Sequence, residues 1–146
     1  MRVVLQRVSE ARVTAGDRAS AIGRGFLLLV GLETGDTEQA CAWMATKVAG
    51  LRVFEDGDGK LNLGLADVGG EILAVSQFTL AGSVERGRRP SFDQAMPPEP
   101  ARALFQRFVT LLEGEGVVVH TGFFQEHMAV SLVNDGPVTL VLERKG

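Results

Sequence analysis

Ser76-Gln77-Phe78-Thr79-Leu80 is the segment whose residue types most readily do chemistry. It closes an apolar run with two hydroxyls and an amide. A strand end where the chain turns frees backbone N–H groups, and such groups can hold a developing oxyanion. The bland alternative is that Ser76 and Thr79 only satisfy nearby main chain. Thr79 is a nucleophile by type, yet no His, Lys or acid stands near it in sequence to activate it. The second unusual segment is Asn134-Asp135-Gly136-Pro137. Its composition reads as a hairpin turn, but Pro cannot donate to a ladder and is uncommon at the head of a strand. The third is Arg86-Gly87-Arg88-Arg89, a basic cluster able to hold a few phosphates or simply to be solvated surface.

Other chemistry is poorly supplied. His120 and His127 lack metal-ligand spacing, so no metal is expected. Cys41, among Ala40, Trp43 and Met44, reads as a small buried hydrophobe. Asp56-Gly57-Asp58-Gly59-Lys60 begins like a calcium loop but lacks the later oxygen ligands, which leaves a turn. Gly23-Arg24-Gly25 precedes a strand instead of opening a helix, so no dinucleotide cofactor is expected.

These segments need elements to position them. Continuous or alternating apolar runs predict strands at Val3–Val8, Ala11–Thr14, Gly25–Leu32, Glu71–Phe78 and Val117–Thr121. Met128–Val133 and Val138–Glu143 read as the arms of a hairpin around Asn134–Pro137. One helix is expected after a cap at Asp36 or Thr37, with Ala40, Trp43, Met44, Val48 and Leu51 on its apolar stripe. A second spans Glu99 to Glu113, with Pro100 in its first turn and Gly114 just beyond. The fold class is α+β: two helices covering a mainly antiparallel sheet or barrel.

The 146 residues suit one domain, 1–146. With 45% hydrophobic and 23% charged residues the composition is that of a globular chain. A net charge of -3 counts against a non-specific nucleic-acid binder, which is usually strongly basic. One cysteine excludes a disulfide framework. No apolar run is long enough for a membrane helix, and Gln6 and Arg7 interrupt any secretory core, so a cytoplasmic location is expected.

Read together, several motifs resemble the D-aminoacyl-tRNA deacylase family. They are Val4-Leu5-Gln6-Arg7-Val8, Ile22-Gly23-Arg24-Gly25, Asn62-Leu63, Ser76–Leu80, Gly87-Arg88-Arg89-Pro90-Ser91-Phe92, Thr121-Gly122 and Ser131–Thr139. One departure follows Thr121-Gly122, where Phe123-Phe124-Gln125-Glu126-His127 is bulkier and more charged than the family pattern, with Met128 retained. The resemblance implies a homodimeric proofreading enzyme that hydrolyses the ester of D-aminoacyl-tRNA without metal or cofactor. It implies a catalytic role for Ser76, Gln77, Phe78 and Thr79, and the backbone N–H groups around Phe78 and Thr79 are then the candidate oxyanion donors. It implies that Gly136-Pro137 is a cis pair lent to the partner's pocket, where main-chain oxygens reject L side chains, with Met128 beside the substrate. Glycine, having no side chain to reject, is then expected to pass when mischarged on tRNA-Ala. Arg86, Arg88 and Arg89 become candidates for tRNA phosphates. The rival reading is an inactive RNA- or ligand-binding dimer, which the altered loop alone favours.

Overall fold

A computed structural model describes residues 1–146. The first strand, β1 (Arg2–Ala15), is one continuous element where two short strands were expected. It turns through Gly16 into β2 (Arg18–Ile22), and β3 (Gly25–Gly31) follows. Then come α1 (Glu38–Gly50), the small pair β4 (Phe54–Glu55) and β5 (Leu61–Leu63), and one helical turn, α2 (Leu65–Val68). The chain continues through β6 (Glu71–Ser76), α3 (Pro98–Gly114), β7 (Val119–Thr121) and β8 (Ala129–Glu143).

The α+β class expected from the sequence is what the chain adopts. The main sheet is antiparallel where β1 pairs with β2, β3 and β8, and parallel where β3 pairs with β6 and β6 with β7. β1 organises it: residues 2–8 pair with β3 and residues 11–15 with β2 along one edge, while β8 covers the other edge. Register shifts against β8 on both sides of Val8 let β1 bend midway, as bulges do. The bend curls the sheet towards a barrel and makes two cores. Phe26, Leu28 and Val30 of β3 point with Val3 and Leu5 into the core under the helices. Leu27 points the other way, to Val13, Ile22, Leu73 and Val75. That two-residue alternation inside an unbroken apolar run is the mark of a strand buried on both faces. Each such fully buried side chain contributes about 1.5–3 kcal/mol. Gly25 is required for the close fit of β3 on β6: a Cβ there would lie 1.8 Å from the Glu71 carbonyl oxygen.

The hairpin expected around Asn134–Pro137 is not formed. β8 runs straight through, and those residues make a bulge: Gln6 pairs with Thr139 but Val8 already pairs with Asn134. The turn-forming residues are genuine, yet β1 offers a ladder on both sides of them, so they loop out without reversing the chain.

Both covering helices form where expected, although Gly114, expected just beyond the second, is its last residue and Glu115 takes the C-cap position. Thr37 caps α1 by accepting from the Ala40 N–H at 3.2 Å, and α3 starts one residue early, at Pro98. α1 buries Cys41, Met44, Ala45 and Val48 in one core with Phe105, Phe108 and Leu112 of α3. Burial pushes the Cys41 thiol up to about 11, which makes it a poor nucleophile. Trp43 leaves the expected stripe and sits at the rim between Lys47 and Arg144. Asp56–Lys60 is a turn: the Lys60 and Asp58 N–H groups donate to the Asp56 carboxylate and hold it below the usual range. No helix is long and apolar enough to cross a membrane.

Candidate active site

β6 ends where its ladder ends. The Gln77 N–H donates to the Val30 carbonyl at 2.8 Å, and the chain then winds into a short 3-10 turn, Phe78–Ala81. The first N–H groups of a helical turn have no partner within it. Those of Phe78 and Thr79 therefore become available as donors at the strand end. Ser76, Gln77 and Phe78 line a cavity of about 710 Å³. Its opposite walls are Phe92, Met96 and Pro97 on the way into α3, and the Phe124–Met128 loop. Phe78 is 59% exposed and meets Phe92 edge-on, with ring centroids 5.4 Å apart. Met128 is held in place by the Phe123 N–H, which donates to its sulfur at 3.3 Å. His127 also lines the cavity, whereas His120 lies elsewhere, 3.9 Å from Glu71.

Thr79 is exposed and does not line the cavity. Its side-chain partner is the Gln77 amide, which donates to the hydroxyl oxygen. A donor cannot take the hydroxyl proton, so the chain gives Thr79 no activating base.

Gly136 and Pro137 also lie outside this cavity, exposed on the bulge of β8. Their peptide bond is cis, and Gly136 has φ +127°, a conformation that L side chains rarely adopt. The Asn134 carboxamide spans the bulge: it accepts from the Val138 N–H at 3.1 Å and donates to Thr139 Oγ1 at 2.9 Å. Arg7 supports the bulge from behind. Its Nε donates to the Asp135 carbonyl at 2.9 Å and its Nη1 to the Val53 carbonyl at 2.8 Å. Arg7 is the only charged residue that is buried. It was missing from the sequence-derived site. The available signal was position: Val3, Leu5 and Arg7 fall on one face of β1, so a charge stands where alternation demands a core residue.

A family model described as "D-Tyr-tRNA(Tyr) deacylase" matches residues 4–143. The chain belongs to that family. Similar curated proteins agree along its whole length. One from Geobacter sulfurreducens, named D-aminoacyl-tRNA deacylase, is 58% identical over 146 residues, 99% of this chain and 96% of the relative. One of the same name from Thermotoga petrophila is 56% identical over 144 residues, 98% and 97% of the two chains. Among solved structures, the c-Myc DNA Unwinding Element Binding Protein superposes with TM-score 0.92 at 41% identity, covering 100% of both chains. A probable eukaryotic D-amino acid tRNA deacylase gives TM-score 0.83 at 20% identity over 97% of each, which supports the fold.

In this deacylase-family chain the basic cluster occupies a loop with a closed neck. Ser83 and Ser91 exchange backbone hydrogen bonds at 2.7 and 2.8 Å, and Arg86, Arg88 and Arg89 stand exposed between them. Phe92 follows the neck directly and lines the cavity, so the loop rises from the cavity's edge. β8 gives the deacylase a further exposed feature. None of its residues is buried, its outer edge has no strand partner, and Val130, Val133 and Val141 are exposed on it. Such an edge invites pairing with another chain.

Proposed function

We propose that this protein proofreads chirality by hydrolysing the ester of D-aminoacyl-tRNA as a homodimer. The observation that supports this reading best is the separation of two groups in one chain. Ser76, Gln77, Phe78 and Met128 line a cavity, while Gly136 and Pro137 project from an unpaired strand edge. A two-fold pairing of edges presents one copy's bulge to the other copy's cavity. The carbonyl oxygens at Gly136 and Pro137 then face the amino-acid Cα. An L side chain points into them and a D side chain points away, so selection works by clash. Glycine lacks the rejected group and passes, which makes glycyl-tRNA(Ala) a second substrate.

Water attacks the ester carbonyl carbon. The N–H groups of Phe78 and Thr79 hold the oxyanion, and the ribose oxygen leaves as its bond to the acyl carbon breaks, taking the proton that the attacking water gives up through the neighbouring 2′-hydroxyl. Losing one such oxyanion donor costs about 2.7–4 kcal/mol. Neither step calls for a metal or cofactor. Incubation with D-Tyr-tRNA and L-Tyr-tRNA tests the reading: fast release of the D form alone is expected. Retention of both forms sinks it in favour of an inactive binding dimer, the reading that the altered Phe123–His127 loop favours.

Thr79→Ala is expected to keep D-Tyr-tRNA hydrolysis within about tenfold in single-turnover assays. A loss of about a million-fold, the scale of removing a serine nucleophile, would restore covalent catalysis by Thr79. Arg86, Arg88 and Arg89 are assigned to acceptor-stem phosphates. Arg88→Ala is expected to lower the magnitude of the log–log salt slope of tRNA binding by about 0.7–0.9. An unchanged slope removes Arg88 from that role.

A further inference from the structure

A second cavity, of about 500 Å³, adjoins the first. Phe124 and Glu126 belong to both linings, so the Phe123–Met128 loop is a partition with a hollow on each side. α3 changes side within one residue: Ala101 lines the first cavity and Arg102 the second. The partition is braced from the second side. Arg18 pairs with Glu126 and lies over the Phe123 ring at 4.6 Å, and Arg102 lies over the Phe124 ring at 4.6 Å. Gln125, between the two, sits at φ +61°. The charge of Arg18 is spent on Glu126, while Arg102 has no acidic partner. The remaining lining includes Gln106, Thr110 and Thr121.

Resting on the deacylation reading above, we propose that this second cavity binds the single-stranded nucleotides just upstream of the aminoacylated terminal one, with Arg102 meeting their phosphate. The size lies within the range of about 300–1,000 Å³ usual for small-molecule sites. One unneutralised cation, neutral donors and acceptors, and arginine–aromatic planes are what a nucleotide needs: a charge for phosphate, hydrogen bonds for base edges, a flat face for stacking. A substrate continuous across the partition fits two adjoining hollows better than two unrelated ligands do.

The test uses two probes that cannot hydrolyse. One is adenosine carrying D-tyrosine through a 3′-amide; the other is a four-nucleotide single strand ending in the same group. Affinities are measured on the intact protein. The wild type is expected to bind the longer probe about tenfold or more tightly, the scale of a hydrogen bond to a charged group. Arg102→Ala is expected to remove most of that gain, to weaken the short probe far less than the long one, and to reduce the salt slope for the long probe by about 0.7. Arg102→Lys is expected to keep the slope. Equal wild-type affinity for both probes overturns the subsite, as does an Arg102→Ala that weakens both alike or neither. Binding does not need turnover. A protein that shows the Arg102-dependent gain but leaves a D-ester intact therefore refutes the deacylase reading while supporting the subsite.

Discussion

Gly136→Ala is expected to lower kcat/KM for D-Tyr-tRNA by about a hundredfold while the protein stays folded. A Cβ at this position would lie 2.6 Å from Arg7 Nη2 and 3.1 Å from Val138 Cγ2, at φ +127°. Arg7 is already committed to the Asp135 and Val53 carbonyls, and Val138 is tied to Asn134, so neither neighbour yields freely. The bulge must shift instead. A displacement near 1 Å in a positioning group costs about a hundredfold in rate. Steady-state kinetics on the D substrate check the loss, and L-Tyr-tRNA in the same assay checks the wall, since a shifted bulge is expected to narrow the D/L ratio. Wild-type kinetics in the variant would show that Gly136 stands away from the substrate.

Arg7→Leu is expected to destabilise the fold by about 2–4 kcal/mol, because two main-chain acceptors lose their donor and each buried unsatisfied one costs about 1–3 kcal/mol. The Asp135 carbonyl, at the exposed bulge, regains water in part, whereas Val53 is buried and does not. Urea denaturation measures the change. Arg7→Lys separates support of the bulge from charge alone: one ammonium cannot span both carbonyls along the guanidinium's fork, so it is expected to recover only part of the loss. A Leu variant as stable as the wild type would mean that the guanidinium holds nothing together.

The sequence exposed those elements whose cause is local. β3 is an unbroken apolar run, α1 carries its Thr37 cap, and α3 repeats its buried phenylalanines at helical spacing. The end of β6 was legible for the same reason, since hydroxyls and an amide close an apolar run, although the strand stops at Ser76, two residues short of the expected Phe78. The bulge was misread because turn propensity belongs to Asn134–Pro137, while the decision not to reverse belongs to β1, more than a hundred residues earlier in the chain. Arg7 was missed for a related reason. Its partners, Val53 and Asp135, are distant in sequence, and no window around residue 7 contains them. Trp43 shows the limit of periodicity: a helix stripe marks apolar positions, but Lys47 and Arg144 determine that this one stays at the rim.

β8 follows every other element, yet it lies against the first one. A ribosome making this protein therefore emits the cavity residues of β6 well before the bulge of β8. Until β8 zips onto β1, Arg7 has no Asp135 to hold, and the unfinished polypeptide lacks the ordered bulge proposed as the barrier against L-aminoacyl esters. Where the bulge serves another copy's cavity, as proposed above, an emerging chain cannot screen its own substrate even then. On the proposed dimeric reading, selectivity arrives with the last strand and becomes usable only after release and pairing, so an immature chain that already carries the cavity has nothing with which to spare the ordinary charged tRNAs that surround it.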